Sequence, residues 1–322
     1  MKIASISCIK NEADLIEDFV RINSTFIDTF VFIDDSSDDT SLILKKLAHE
    51  GFKILLVEQD NSEAEYQQGL LISSVILNLI QSGFVCDWFL PLDCDEFPTV
   101  TNKFHFFDEL RKIPAGVLGA YKWETYVPTR LDFDAISESP LLNSFKKRNP
   151  EGNIFYKIVI PFNLAAEVIL DPGSHGAINI NTHIRCNAQE LSARLGHFPI
   201  RSASQIIKKN LRAVNDFLSK KNKVVGEGLH VYRTLRFLHE CRYSLTLDKL
   251  QVLSLEYANW HSGEYSLTDQ PLWISPYKKI YMPRQIDFND LLYEMVEKSW
   301  LNPRGNAEYS ALINEFLRPQ NN

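Results

Sequence analysis

Over its first hundred residues the chain alternates short apolar runs with amphipathic ones, and each apolar run ends in a polar cluster. Ile3 to Ile9 is apolar with small residues, and Glu12 to Asn23 then carries Leu15, Ile16, Phe19 and Val20 at helical spacing. Phe30 to Ile33 is aromatic and β-branched, which predicts a buried strand. Helical spacing resumes through Leu42, Leu44 and Leu47 and stops at Gly51. Lys53 to Val57 is the third strand, Tyr66 to Gln81 a long apolar helix, and Trp88 to Leu92 the fourth strand. Such repetition with short links predicts parallel βαβ units, and parallel sheets bind ligands at the carboxyl ends of their strands. The polar clusters fall there: Lys10-Asn11-Glu12, Asp34-Asp35, Glu58-Gln59-Asp60 and Asp93-Cys94-Asp95.

The middle of the chain is less regular. Strand-like runs at Gly116 to Trp123, Phe155 to Phe162 and Glu167 to Leu170 are separated by Pro and Gly, which predicts an antiparallel addition to the sheet. From Ser202 the pattern turns helical, with Ile207, Leu211, Val214 and Leu218 on one face. Further helices are expected at Thr234 to Leu247, Phe288 to Trp300 and Ala307 to Leu317. Gly226-Glu227-Gly228-Leu229-His230 reads as a loop. The aromatic stretch Trp260, His261, Tyr265, Trp273, Tyr277 and Tyr281 suits either packing or an acceptor sugar.

Among 322 residues, 45% are hydrophobic and 23% charged, which excludes a disordered or fibrous chain. The net charge of −7 argues against bulk attraction to nucleic acid or anionic lipid, so an anionic ligand would need a local basic site. Five scattered cysteines form neither a disulfide framework nor a zinc motif. Lys10-Asn11-Glu12 comes too early for a signal peptide, and the apolar run Leu70 to Ile80 is too short to cross a bilayer. The expected setting is cytoplasmic, with peripheral contact at the inner face of a membrane as the variant.

Asp93 and Asp95, one residue apart at a strand end, are a candidate metal pair. Hard oxygen ligands favour Mg²⁺ or Mn²⁺, which also bind substrate phosphates.

Taken together, Lys10-Asn11-Glu12, the run Asp34-Asp35-Ser36-Ser37-Asp38-Asp39-Thr40 and Asp93-Cys94-Asp95-Glu96-Phe97, each after a strand, resemble the GT-A glycosyltransferases of the family-2-like group. That group's second motif reads D-D-G-S-T-D-G-T; here Ser36 and Asp39 replace its glycines. His197-Phe198-Pro199-Ile200-Arg201-Ser202-Ala203-Ser204-Gln205 with Lys209 is similar to an element of bacterial members. The resemblance implies an α/β GT-A (nucleotide-diphospho-sugar transferase) fold, a mixed, mainly parallel sheet flanked by helices, over residues 1–210. Residues 1–105 would be the nucleotide-binding half, 106–210 the acceptor half and 211–322 a mostly helical extension.

It further implies an inverting transferase for a nucleotide sugar, a UDP-sugar first, acting on a glycan or glycolipid acceptor in surface polysaccharide synthesis with Mn²⁺ or Mg²⁺. Asp35, or alternatively Asp34, would meet the base, and Glu12 would line the nucleoside pocket beside Lys10 and Asn11. Asp93 would lie near ribose and metal, Asp95 would ligate the metal, and His197 would be a further metal ligand or a diphosphate contact.

Transfer from a nucleotide sugar leaves a diphosphate, whose charge needs cations such as Arg201, Lys209 or Lys10. Inversion needs a base for the acceptor hydroxyl, with Glu124 and Asp171 as first candidates and His175 beside the latter. A nucleotidyltransferase of similar fold would want a glycine-rich loop after the first strand, and Ser7 to Glu12 has no glycine. A domain that binds a sugar nucleotide without turnover is the remaining alternative.

Overall fold

The computed structural model describes residues 1–58, 68–99, 102–131, 141–152, 154–219, 229–257, 264–269, 277 and 279–281. Its first elements are β1 (Ile3–Ile9), α1 (Ile16–Asn23), β2 (Thr29–Asp34), α2 (Thr40–His49), β3 (Ile54–Glu58), α3 (Gln68–Gln81) and β4 (Trp88–Pro91). There follow β5 (Glu96–Pro98), α4 (Lys103–Arg111), β6 (Leu118–Pro128), β7 (Phe145–Asn149), β8 (Tyr156–Pro161), α5 (Phe162–Ala165), β9 (Val168–Leu170), β10 (Ala177–Asn179) and β11 (Ala188–His197). The last are α6 (Ala203–Ser219), α7 (Leu229–Glu240), α8 (Leu247–Glu256) and β12 (Ser266–Thr268).

The expected α/β architecture is present: a mixed sheet with a parallel N-terminal half, flanked by helices. Its order is β12-β7-β6-β8-β4-β1-β2-β3, and β11 pairs with β5 and β6 beside that path. β1 lies parallel between β2 and β4, and β2 runs parallel to β3. Ile9 pairs with Asp34 and Asp34 with Glu58, while Ile6 pairs with Pro91. Those registers bring the ends of all four strands to one rim. The antiparallel addition is β8, which pairs antiparallel with both β4 and β6.

Alternation along each strand divides the core into two layers. Ala4, Ile6, Val31 and Ile33 face α3 and meet Ile72, Val75 and Ile76. On the other face Phe19 of α1 packs edge-on against Phe30, Phe32 and Phe97, each with ring centroids 6.0 Å away. Helix α3 lies so close to β9 that a side chain at Gly69 would stand 2.2 Å from the Leu170 carbonyl oxygen. That approach fixes Gln68 at the start of the helix.

The described residues fall into two compact units. The first comprises those within Met1–Tyr126, Asp134–Pro199 and His261–Arg284, the second those within Val127–Phe133 and Ile200–Trp260. In the second, α6, α7 and α8 enclose Ile200, Ile206, Leu238, Leu245, Leu250 and Leu253. The helix expected from Thr234 to Leu247 does not occur as one piece. Arg242 and Tyr243 take left-handed backbone angles (φ 53° and 55°), which ends α7. Thr246 then opens α8 by accepting from the Lys249 amide. The helices expected at Phe288 to Trp300 and Ala307 to Leu317, Gln59, Asp60, Tyr66, Gly226 to Gly228, Trp260, His261 and Trp273 lie outside the described residues. No helix among the described residues is long and apolar enough to cross a membrane.

Because Phe19 contacts three rings in a fully buried layer, Phe19→Ala should lower unfolding stability by about 3–5 kcal/mol, measured by urea denaturation.

Candidate functional site

The β1 and β2 ends are built into each other. Asn11 takes a left-handed conformation (φ 60°), which asparagine tolerates better than most residues. Its Oδ1 accepts from the amides of Ser37 (2.8 Å) and Asp38 (3.0 Å), and its own amide donates to Ser36 Oγ (2.8 Å). The Glu12 amide donates to Thr40 Oγ1 at 2.9 Å. These bonds hold the loop after β1 against the loop after β2.

Asp34 is spent locally, accepting from the Ser36 amide and the Ser41 hydroxyl. Asp35 reaches outward and pairs with Lys10 at 3.2 Å, both side chains partly exposed. Of the two aspartates, Asp35 is thus the one presented at the rim. Asn11 has a structural duty that the sequence pattern did not assign to it.

The β4 end carries a second cluster. Asp93 Oδ1 accepts from Gln68 Nε2 (2.8 Å) and Oδ2 from Lys157 Nζ (2.6 Å). Lys157 also pairs with Glu96 Oε2 at 3.0 Å, and that oxygen accepts from the Asp93 amide (2.8 Å), closing the turn. Lys157 is 1% exposed and Glu96 fully buried. Burial opposes the ammonium, but Asp93 and Glu96 outweigh it and hold Lys157 above the usual lysine range. Burial pushes the Glu96 carboxyl up to about 8; Lys157 opposes this, and Asp93 and Asp95 add to it.

Antiparallel pairing explains why Lys157 is there. Trp88 faces Pro161 and Phe89 faces Ile160, so the start of β8 lies beside the end of β4. Alternation along Tyr156-Lys157-Ile158-Val159-Ile160 puts Lys157 on the face opposite Ile158 and Ile160.

Next to this cluster, Asp95 Oδ1 lies 3.9 Å from His197 Nε2, both residues 5% exposed. β11 delivers His197 by pairing antiparallel with β5, where it faces Glu96, and parallel with β6, where it faces Thr125. Its ring stacks on Trp123 at 4.2 Å, and Trp123 meets His175 edge-on at 5.1 Å. His175 Nδ1 lies 2.7 Å from the Tyr156 carbonyl oxygen, which can only accept. Nδ1 therefore carries the proton and Nε2 the lone pair. Burial holds the imidazole below its ordinary value; the Tyr156 contact opposes this, Lys157 adds to it, and Asp93 and Asp171 oppose it. The ring lies over Gly173 (φ 72°), where a Cβ would stand 2.6 Å from Nε2.

The two first candidates for a base are placed differently. Glu124 lies inside β6 rather than at a strand end, because the strand runs on to Pro128. It pairs with Lys147 at 2.5 Å, and alternation turns it to the face opposite Trp123. Asp171 pairs with Arg185 at 2.9 Å in the turn before His175.

Arg201 and Lys209 belong to the second unit. Arg201 is 1% exposed, its amide donates to Gln205 Oε1 (3.0 Å), and Ser202 Oγ accepts from the Gln205 amide at the start of α6. Tyr277 and Tyr281 donate to Asp18 and Glu50, and Tyr265 lies beneath Arg148, so each of these three aromatics has a partner within the protein.

Comparison with known proteins returns no matching family model and no matching curated protein. Solved structures with a similar trace include a Bacillus anthracis protein assigned as a glucose-1-phosphate thymidylyltransferase and solved with sucrose (10% identity, 60% of this chain and 88% of that one, TM-score 0.31). Mannose-1-phosphate geranyltransferase from Thermus thermophilus is another (11% identity, 78% and 68%, TM-score 0.28). HddC from Yersinia pseudotuberculosis is a third (10% identity, 62% and 95%, TM-score 0.32).

Sequence reasoning missed Lys157, Glu96, Gln68 and Trp123. A lysine inside the apolar run Tyr156 to Ile160 was the available signal, since an inward lysine in a buried strand needs a carboxylate partner. Lys157→Met should cost about 3–5 kcal/mol in urea denaturation by leaving buried carboxylate uncompensated. Adding Glu96→Gln should recover part of that loss.

Proposed function

We propose that this protein is a glycosyltransferase that takes a sugar from a nucleotide sugar, a UDP-sugar first, and passes it to a hydroxyl of a glycan or glycolipid acceptor with inversion. The observation that carries this reading is the gathering of Asp35 with Lys10 and of Asp93, Asp95 and His197 at the carboxyl rim of four parallel strands. Open α/β sheets bind ligands at that rim. Asp35, partly exposed beside Lys10, suits an acceptor for the donors of a nucleobase, and Lys10 is a cation on the same rim for the diphosphate.

In the reaction the acceptor oxygen bonds to the anomeric carbon while the bond from that carbon to the diphosphate oxygen breaks. The diphosphate leaves with the electron pair, and the acceptor hydroxyl's proton goes to a base. Glu124 and Asp171 are each already engaged by a cation, Lys147 and Arg185. His175 suits the role better. Its Nε2 carries a lone pair, and its depressed pKa keeps it neutral at physiological pH.

A nucleotidyltransferase is the second reading. It would use the loop after β1 as a phosphate cradle, whereas that loop is occupied by Asn11 clamped to residues 36–38, which favours glycosyl transfer. Surface polysaccharide synthesis remains the setting this reading proposes.

Calorimetry with UDP and an assay for UDP released from UDP-sugars test the reading; neither binding nor release with any nucleotide sugar refutes it. Asp35→Ala should weaken UDP binding about tenfold, the loss of a hydrogen bond to a charged group. His175→Gln should bind UDP as the unchanged protein does and lose turnover by about 10²-fold or more. Because the His175 pKa is lowered, the working neutral form persists as pH falls through 6.5, so kcat should decline only below that pH. A midpoint at or above 6.5 would move the base role elsewhere.

A further inference from the structure

The resemblance implies Mn²⁺ or Mg²⁺ on Asp93, Asp95 and His197. The side chains present do not fit a divalent ion shared by the two aspartates. Both Asp93 oxygens already accept from held donors, Gln68 Nε2 at 2.8 Å and Lys157 Nζ at 2.6 Å. Lys157 enters from β8, is 1% exposed, and bridges to Glu96 at 3.0 Å. A dication ligated by Asp93 would stand within a few ångströms of that ammonium and repel it. At 1% exposure Lys157 has no solvent side to which the ammonium could retreat. Among the described residues, no group of three or more His, Cys, Asp and Glu side chains is gathered to hold a metal.

We propose that Lys157 is the built-in cation of this strand end, so that nucleotide binding here proceeds without a divalent metal. The ammonium neutralises carboxylate at the β4 end, where the resemblance would place the ion. It also fixes the Asp93 carboxylate, which stays partly exposed and keeps acceptor capacity for a ligand hydroxyl. The ligand class is a nucleoside diphosphate whose phosphates are met by side-chain cations, Lys10 among them. Its identity rests on the function proposed above; the position of the cation does not.

The full chain is titrated with Mn²⁺ and free Mn²⁺ is read by electron paramagnetic resonance. The unchanged protein should take up no stoichiometric Mn²⁺, and Lys157→Met, which leaves carboxylates without their ammonium, should take up one ion. Uptake of one Mn²⁺ by the unchanged protein overturns the proposal, as does a folded Lys157→Met that takes up none. UDP calorimetry in EDTA and in Mn²⁺ is the second arm. Affinities within about twofold support the proposal, and a gain of about tenfold or more with Mn²⁺ overturns it. No UDP binding in either condition counts against the nucleotide reading alone, because the Mn²⁺ titration still decides the role of Lys157. If Lys157→Met does not fold, the unchanged protein decides the question in both arms.

Discussion

The site is organised by the charge contact between Lys157 and the carboxylates of Asp93 and Glu96. It exists because β8 runs antiparallel to β4. A parallel strand in that place would begin at the far rim and carry Lys157 away from Asp93. A buried ammonium without a carboxylate would be costly, and Lys157 in turn opposes the rise that burial imposes on the Glu96 carboxyl. Glu96 also closes the turn on the Asp93 amide, and its backbone pairs with β11, which ends in His197. One charge contact thus ties together the strand end, the turn and the histidine.

The neighbouring end of β1 and β2 is held differently. There the loops are joined chiefly by bonds to uncharged side chains, between Asn11 and residues 36–38 and from the Glu12 amide to Thr40 Oγ1. Asp34 is absorbed into the same loop, while Asp35 and Lys10 pair at its partly exposed edge. The buried β4 cluster is rigid by enclosure, and the β2 end is rigid by hydrogen bonding. A fixed surface of that kind suits recognition, because little side-chain freedom remains to be lost on binding.

Much of the fold was legible in the chain. Strands such as Phe30 to Ile33 and helices such as Thr40–His49 declare themselves by period, and four polar clusters at strand ends indicated the rim. Local signals failed where a turn competed with a helix. Arg242 and Tyr243 have no turn-forming side chains, yet their left-handed backbone divides the expected helix. They failed again at Glu124, where the apolar and aromatic run stops at Trp123 while pairing with β11 continues through Glu124 to Thr125 and the strand to Pro128.

By itself the sequence determined the order of strands and helices over the first hundred residues, the parallel N-terminal half of the sheet and the presence of acids at its rim. Those follow from periodicity and from side chains near one another along the chain. Only the tertiary structure decided which acids are paired and which are presented. Lys157 lies 64 residues from Asp93, and His197 lies about a hundred residues from Asp95. Contacts across such distances depend on strand direction and register, which no local pattern encodes.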